Sequence, residues 1–159
     1  MAKITNVSAE CLDLIKHFEG LYLTSYLCPA KVWTIGYGTT LYPNGLKVLA
    51  AQKCSQEQAL TFLRNDLSFF EKSVDAYTRD DVSQQQFDAM VSFAYNLGAK
   101  NLKDSTLLKV INANPKDYNA IEKQWLRWNK ANGTALKGLT RRRTAEFYYY
   151  KNGALKFDF

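Results

Sequence analysis

Apolar residues recur at three- and four-residue intervals through Cys11, Leu12, Ile15 and Phe18, a spacing that puts them on one helical face. The pattern predicts a helix from Val7 to Phe18 with Ser8 as N-cap, leaves Glu19 in its last turn and ends it at Gly20. From residue 21 to 40 the period shortens. Aromatic and β-branched residues, a Cys28-Pro29 turn and the glycines Gly36 and Gly38 predict a small, tightly bent antiparallel sheet. Pro43-Asn44-Gly45 reads as a turn, because proline presets one dihedral and Asn-Gly tolerates positive ones. Helical spacing then returns in Leu60, Leu63, Leu67, Phe70 and Val74, behind a Ser55/Gln58 capping box, and predicts the longest helix, to about Tyr77. A second capping box, Ser83/Gln86, opens a stripe of Phe87, Met90, Ala94 and Leu97 that ends at Gly98. Shorter helices are predicted near Ser105 to Ala113, Lys116 to Lys130 and Arg141 to Lys151, separated by Pro115 and a Gly133 to Gly138 loop. Trp125 and Trp128, at helical spacing, are read as core.

These elements describe an α+β protein, mainly α, with one small sheet. The long helix, at about 1.5 Å per residue, would span roughly 30 Å and could join two lobes. The expected organisation is a single domain over 1–159, with a β-containing lobe at 13–55, a connecting helix at 56–77 and a helical lobe from 1–12 and 78–159. A cleft would lie between the lobes.

Composition adds exclusions. At 159 residues and 47% hydrophobic the chain can bury a real core. No apolar run approaches the roughly 18 residues of a membrane span, and MAKITNVSAE lacks the layout of a secretory signal, so a cytoplasmic site of synthesis without membrane insertion is expected. Cys11, Cys28 and Cys54 are odd in number and scattered, and His17 is the only imidazole, which argues against a disulfide framework and a structural zinc site. The expectation is chemistry with no metal and no cofactor. Charge is uneven: residues 1–98 carry a net −2 and residues 99–159 a net +8. A basic half is drawn to polyanions, with nucleic acid, anionic lipid and bacterial cell wall as candidates and a solvated basic face as the plainer reading.

Candidate chemistry gathers at the first helix end. A helix terminates in orphan carbonyls of partial negative charge, so a carboxyl there is expected to hold its proton more readily than one at a helix start. A protonated glutamic acid at neutral pH can donate to a leaving group, as the acid of a glycosidase does. Glu19, Cys28 and Thr34 stand at the spacing E-x8-C-x5-T, framed by FEG and WTIGYG. This signature resembles that of the phage-type lysozymes, the muramidase endolysins. The resemblance continues through QFDAMVSFAYNLG (residues 86–98), STLL (105–108) and GLTRRRTAE (138–146), in the family's order.

The resemblance implies a lysozyme-like two-lobe fold and hydrolysis of the β-1,4 bond between N-acetylmuramic acid and N-acetylglucosamine in peptidoglycan. It makes Glu19 the acid. Cys28, an aspartate in many family members, would as a thiolate orient or deprotonate water, or as a nucleophile attack the sugar, with opposite stereochemical outcomes. Thr34 would hold the water. The resemblance also places Thr40, Tyr95, Asn96 and Thr106 against glycan, and sets Arg142 facing the glutamate across the cleft. Neighbouring residues on a helix point about 100° apart, so Arg141 and Arg143 are expected to meet solvent or the wall. The implied partners are peptidoglycan strands and a separate holin that opens the membrane from the host cytoplasm, with no nucleic acid and a monomeric state. Thr39 departs from the family, where GYGHT is common and histidine is a structural ion-pair partner. Altered stability or pH response with retained activity is expected from that change.

Other classes stay open on sequence alone. A Cys28–His17 pair could serve a peptidase or amidase, although His17 lies about 200° around the helix from Glu19. A wall-binding or regulatory protein with weak or lost catalysis, and a lytic transglycosylase needing no water nucleophile, are the two further alternatives.

Overall fold

Ser8 starts the first helix, and it does so with help. Its hydroxyl accepts from the Cys11 amide at 3.4 Å, while its own amide donates to Asp88 Oδ1 at 3.1 Å and the Val7 amide to Glu71 Oε2 at 2.7 Å. Those bonds hold Val7 outside the helix, so α1 is Ala9–Glu19 and begins two residues later than its apolar pattern suggests. The computed structural model describes residues 3–159. In chain order α1 is followed by β1 (Tyr22–Leu27), β2 (Trp33–Gly36), α2 (Gln56–Tyr77), α3 (Gln84–Leu97), α4 (Ala99–Asp104), α5 (Thr106–Ala113), α6 (Tyr118–Trp125), β3 (Lys130–Ala131), β4 (Thr134–Ala135) and α7 (Lys137–Asn152). The chain forms two compact units, one of residues up to Leu14 with Phe70–Phe159, the other Ile15–Phe69.

In the smaller unit β1 and β2 pair antiparallel, with Tyr22 opposite Gly36, Tyr26 opposite Thr34, Leu27 opposite Trp33, and a bulge between the first two pairs. A further backbone bridge joins Ile35 to Thr39. Gly36 has φ +67° and its backbone lies against α2, where a Cβ would sit 3.2 Å from that of Ala59; glycine meets both demands. The core beneath the sheet holds Ile15, Ile35, Val48, Ala59, Leu63 and Leu67. The expected capping box of α2 is present, Ser55 N donating to Gln58 Oε1 at 2.8 Å and Gln58 N to Ser55 Oγ at 3.1 Å. The Pro43-Asn44-Gly45 turn also forms, closed by Gly45 N to Tyr42 O at 2.8 Å.

In the larger unit α3 opens with its own capping box at Ser83 and Gln86 and buries Phe87, Met90, Val91, Phe93 and Ala94. It packs chiefly against α7. Trp125 is fully buried, its ring 5.8 Å from Phe93 and 5.4 Å from Tyr150; Trp128 is half-buried and meets Phe93 at 5.5 Å. Asp88, buried in α3, accepts from Ser8, from Gln84 Nε2 at 2.7 Å and from the Tyr149 hydroxyl at 2.7 Å, tying the chain's beginning to its last helix.

Three local expectations change. The helix expected to reach Lys130 stops at Trp125 and is followed by a two-residue-strand hairpin, turned by Asn132 and Gly133 at φ +51° and +79°. α4 follows Gly98 with no side-chain cap, and no periodic stripe announced it. Arg143, expected in solvent, is fully buried: its Nε donates to Glu146 Oε1 at 2.7 Å and its Nη2 to Oε2 at 3.0 Å, and its guanidinium lies 5.3 Å from the Phe93 ring centre. A guanidinium enters a core when a carboxylate satisfies it there. Arg141 is exposed.

Candidate active site

The end of α1 places Glu19 by a backbone device. The Gly20 amide returns to Lys16 O at 3.0 Å and Gly20 turns left-handed at φ +72°, which stops the helix and starts β1 two residues on. Glu19 is half-buried at that corner. Lys16, one turn back, lies with its ammonium 5.6 Å from the Tyr37 ring centre.

β1 then leads to Cys28 at the mouth of its hairpin. Lys31 N donates to Cys28 O at 2.8 Å and Cys28 N to Val32 O at 3.1 Å, with Lys31 in the left-handed region at φ +61°. This tight return brings backbone groups around the sulfur. Hydrogen bonds from the backbone at Val32, chiefly, then from that at Ala30 and from the Thr34 side chain hold the Cys28 thiol below its ordinary value, against a partial desolvation that works the other way. Cys11 and Cys54 have the opposite bias, since burial pushes both thiols up. Thr34 is 5% exposed, and its hydroxyl donates to Val32 O at 3.0 Å. A hydroxyl has one proton, which either Val32 O or the Cys28 sulfur can take at a given moment, and two lone pairs that can accept from a water.

Tyr26 is a residue that sequence reasoning missed. Its ring lies 4.3 Å from that of Tyr22. Burial, chiefly, raises the Tyr26 phenol, and Tyr22, Glu19 and Cys28 add to it electrostatically. The signal was available: Tyr26 is two residues before Cys28 in an extended segment, hence on the same side. Thr40, also in the smaller unit, is exposed and offers its carbonyl to Val48 N at 3.0 Å. His17 is exposed on α1, its ring edge against Phe18 at 4.8 Å.

The other expected residues belong to the larger unit. Tyr95 on α3 packs its ring edge-on to Phe70 at 5.5 Å. Asn96 has a side-chain oxygen buried without a hydrogen-bond partner. Thr106 is exposed at the first position of α5, beside the Ser105 cap. Arg142 is 4% exposed: Nε donates to Glu146 Oε2 at 3.3 Å and Nη2 to the Ser92 carbonyl at 3.4 Å, one helical turn before Asn96. Among the described residues no group of three or more His, Cys, Asp or Glu is placed to hold a metal ion, and no helix is long and apolar enough to cross a membrane.

A mainly helical protein in which the first helix ends in a carboxylic acid and leads straight into a short antiparallel hairpin is lysozyme-like in fold. The model of the phage lysozyme family matches residues 16–146, and the chain belongs to that family. It is 40% identical over 153 residues to the endolysin of Bacillus phage B103, an alignment covering 95% of this chain and 56% of that protein; the chain thus spans little more than half that relative's length. Its identity to the endolysin of Acyrthosiphon pisum secondary endosymbiont phage 1 is 39% over 145 residues, covering 89% of this chain and 94% of that one. A solved structure, the endolysin from Escherichia coli O157:H7 phage FAHEc1, matches with a TM-score of 0.88 at 34% identity over 95% of this chain and 96% of that chain.

Proposed function

We propose that this chain is a peptidoglycan-hydrolysing endolysin that cleaves the β-1,4 bond between N-acetylmuramic acid and N-acetylglucosamine. Glu19 donates its proton to the glycosidic oxygen as that bond breaks. A water held by the Thr34 hydroxyl gives its proton to the Cys28 thiolate and attacks the anomeric carbon from the far face, which inverts it. The observation that carries this reading is the cradle around Cys28: backbone hydrogen bonds and Thr34 favour the thiolate, on a hairpin entered directly from Glu19. A covalent cysteinyl intermediate would instead retain the anomeric configuration.

Thr40, Tyr95, Asn96, Thr106 and Arg142 are proposed to bind glycan. Support is strongest for Asn96, because a buried acceptor without a donor costs free energy that a sugar hydroxyl or acetamido N–H would recover. The partner is the peptidoglycan strand, reached from the host cytoplasm after a holin opens the membrane, and the working species is a monomer.

The test is release of reducing ends from purified peptidoglycan by wild type, Glu19→Gln and Cys28→Ser, with product masses and the initial anomer recorded by NMR. Hydrated muramic acid ends of inverted configuration, lost with Glu19→Gln, are expected. Retained configuration would make Cys28 the nucleophile, anhydro ends would make the enzyme a transglycosylase, new amino groups a peptidase or amidase, and absence of any cleavage a binding protein.

A further inference from the structure

Within the smaller unit, away from the Cys28 hairpin in sequence, the 42–62 stretch forms an open groove of about 500 Å³. Its walls differ in kind. Tyr42 and Phe62 meet edge-to-face at 5.2 Å and, with Pro43, give an apolar side. Asn44, Gln52, Gln58 and Lys53 supply the polar lining.

The hydrogen bonds of that lining are one-sided. Gln52 Oε1 accepts from the Tyr42 hydroxyl at 2.6 Å and from Leu49 N at 2.9 Å. Gln58 Oε1 accepts from Ser55 N at 2.8 Å, and Asn44 Oδ1 from Leu46 N at 3.0 Å. Each amide oxygen is thus spent on a donor inside the protein, which also fixes the orientation of each amide. The three NH2 groups and the Lys53 ammonium have no hydrogen-bond or ion-pair partner among the described residues. The side chains lining this solvent-open groove thus carry six uncommitted amide protons and one cation, while their amide oxygens are already engaged. Such a lining selects an acceptor-rich anion, and one ammonium matches one negative charge. The aromatic wall fits a small apolar group attached to that anion.

We propose that this groove binds the C-terminal carboxylate of a short peptide of small residues, the chemistry that the alanine-containing stem peptides of peptidoglycan present. The wall source rests on the reading above; the carboxylate chemistry does not. Peptide capture here would hold the enzyme on cross-linkable wall without touching the scissile bond.

The experiment follows the side-chain NH2 signals of Asn44, Gln52 and Gln58 by NMR in the full chain, with N-acetyl-D-alanyl-D-alanine as probe and its C-terminal amide and inorganic phosphate as controls. Saturable shifts of all three pairs with the acid, and at least about tenfold weaker binding of both controls, are expected. Gln58→Glu is the decisive variant, since glutamate keeps the bond to Ser55 N while replacing a donor by a negative charge. It and Lys53→Met should each weaken the probe by about tenfold or more at unchanged melting temperature, and raise KM on peptide-bearing but not on peptide-stripped glycan. No saturable shift, equal binding of the amide, preference for phosphate, or indifference to Gln58→Glu would each overturn the assignment. Because the probe contains no glycosidic bond, failure of glycan cleavage leaves this readout intact.

Discussion

The Thr39 hydroxyl donates to Asp66 Oδ2 at 2.7 Å inside the smaller unit, with Thr39 fully buried. Burial pushes the Asp66 carboxyl from 3.8 up to about 6, and the Thr39 bond, which favours the charged form, offsets only part of that. The folded protein therefore holds this proton more tightly than the unfolded chain does. Asp66 contributes its stability in full below about pH 4 and loses it as pH rises through about 6. The whole displacement would be worth about 3 kcal/mol, and screening by the water that reaches this half-buried group reduces it to about 1 kcal/mol. Asp66→Asn should raise the melting temperature at pH 7 by about 2–4 °C and leave it unchanged at pH 4. Parallel wild-type and variant profiles across that window would sink the argument.

Thr39→His tests the same contact from the other side. An imidazolium at this position would pair with Asp66, lowering the carboxyl and raising the imidazole, so the gain lies between those two values and fades above about pH 8. Its larger ring must fit a fully buried position, which takes back part of the gain. The expected result is a melting temperature raised by about 2 °C near pH 6, with turnover unchanged. Faster turnover without a higher melting temperature would contradict a structural role for this position.

The three cysteines should differ sharply in reactivity. Cys28 is half-buried and its thiol is held low by backbone and Thr34 hydrogen bonds, whereas burial raises Cys54 and, with Asp88 nearby, raises Cys11 further. Because the thiolate is the reacting species, iodoacetamide at pH 7 should label Cys28 at least about tenfold faster than Cys54, and Cys11 only after unfolding. Peptide mass spectrometry of a labelling time course measures this, and activity should fall with the first label. Thr34→Val should slow that label by removing one of the bonds that favour the thiolate.

Legibility in the sequence followed how local each cause was. The capping boxes at Ser55/Gln58 and Ser83/Gln86 and the stop at Gly20 depend on residues within four positions, and all three form where the sequence puts them. The hairpin at β3 and β4 carried its signal in Asn132-Gly133, but two-residue strands have no alternation to read. α4 is too short for a periodic stripe and has no side-chain cap. Among the proposed site residues, Glu19, Cys28 and Thr34 stand out in the sequence as a spaced motif, whereas the backbone cradle that lowers the Cys28 thiol depends on how residues 28–32 turn. The burial of Arg143 was misread for a different reason. Charged triplets are ordinarily solvated, and only a reading of the i, i+3 and i, i+4 spacings to Glu146 would have paired Arg143 and Arg142 with one carboxylate.

That carboxylate gathers five hydrogen bonds in the buried interior. Glu146, fully buried on α7, accepts from Ser92 Oγ at 2.6 Å, Trp125 Nε1 at 3.2 Å, Arg142 Nε at 3.3 Å, and Arg143 Nε and Nη2 at 2.7 and 3.0 Å. Two guanidinium groups share it, so neutralising it strands buried positive charge, and an amide also turns one acceptor into a donor aimed at donors. Glu146→Gln should cost about 3–5 kcal/mol in urea unfolding, against well under 1 kcal/mol for the exposed pair broken by Asp104→Asn. Because Glu146 also fixes the Arg142 guanidinium, kcat/KM on peptidoglycan should fall even at temperatures where the variant is fully folded, if Arg142 binds glycan as proposed. A destabilised variant with wild-type kcat/KM would leave Glu146 as a folding residue and remove Arg142 from the substrate site.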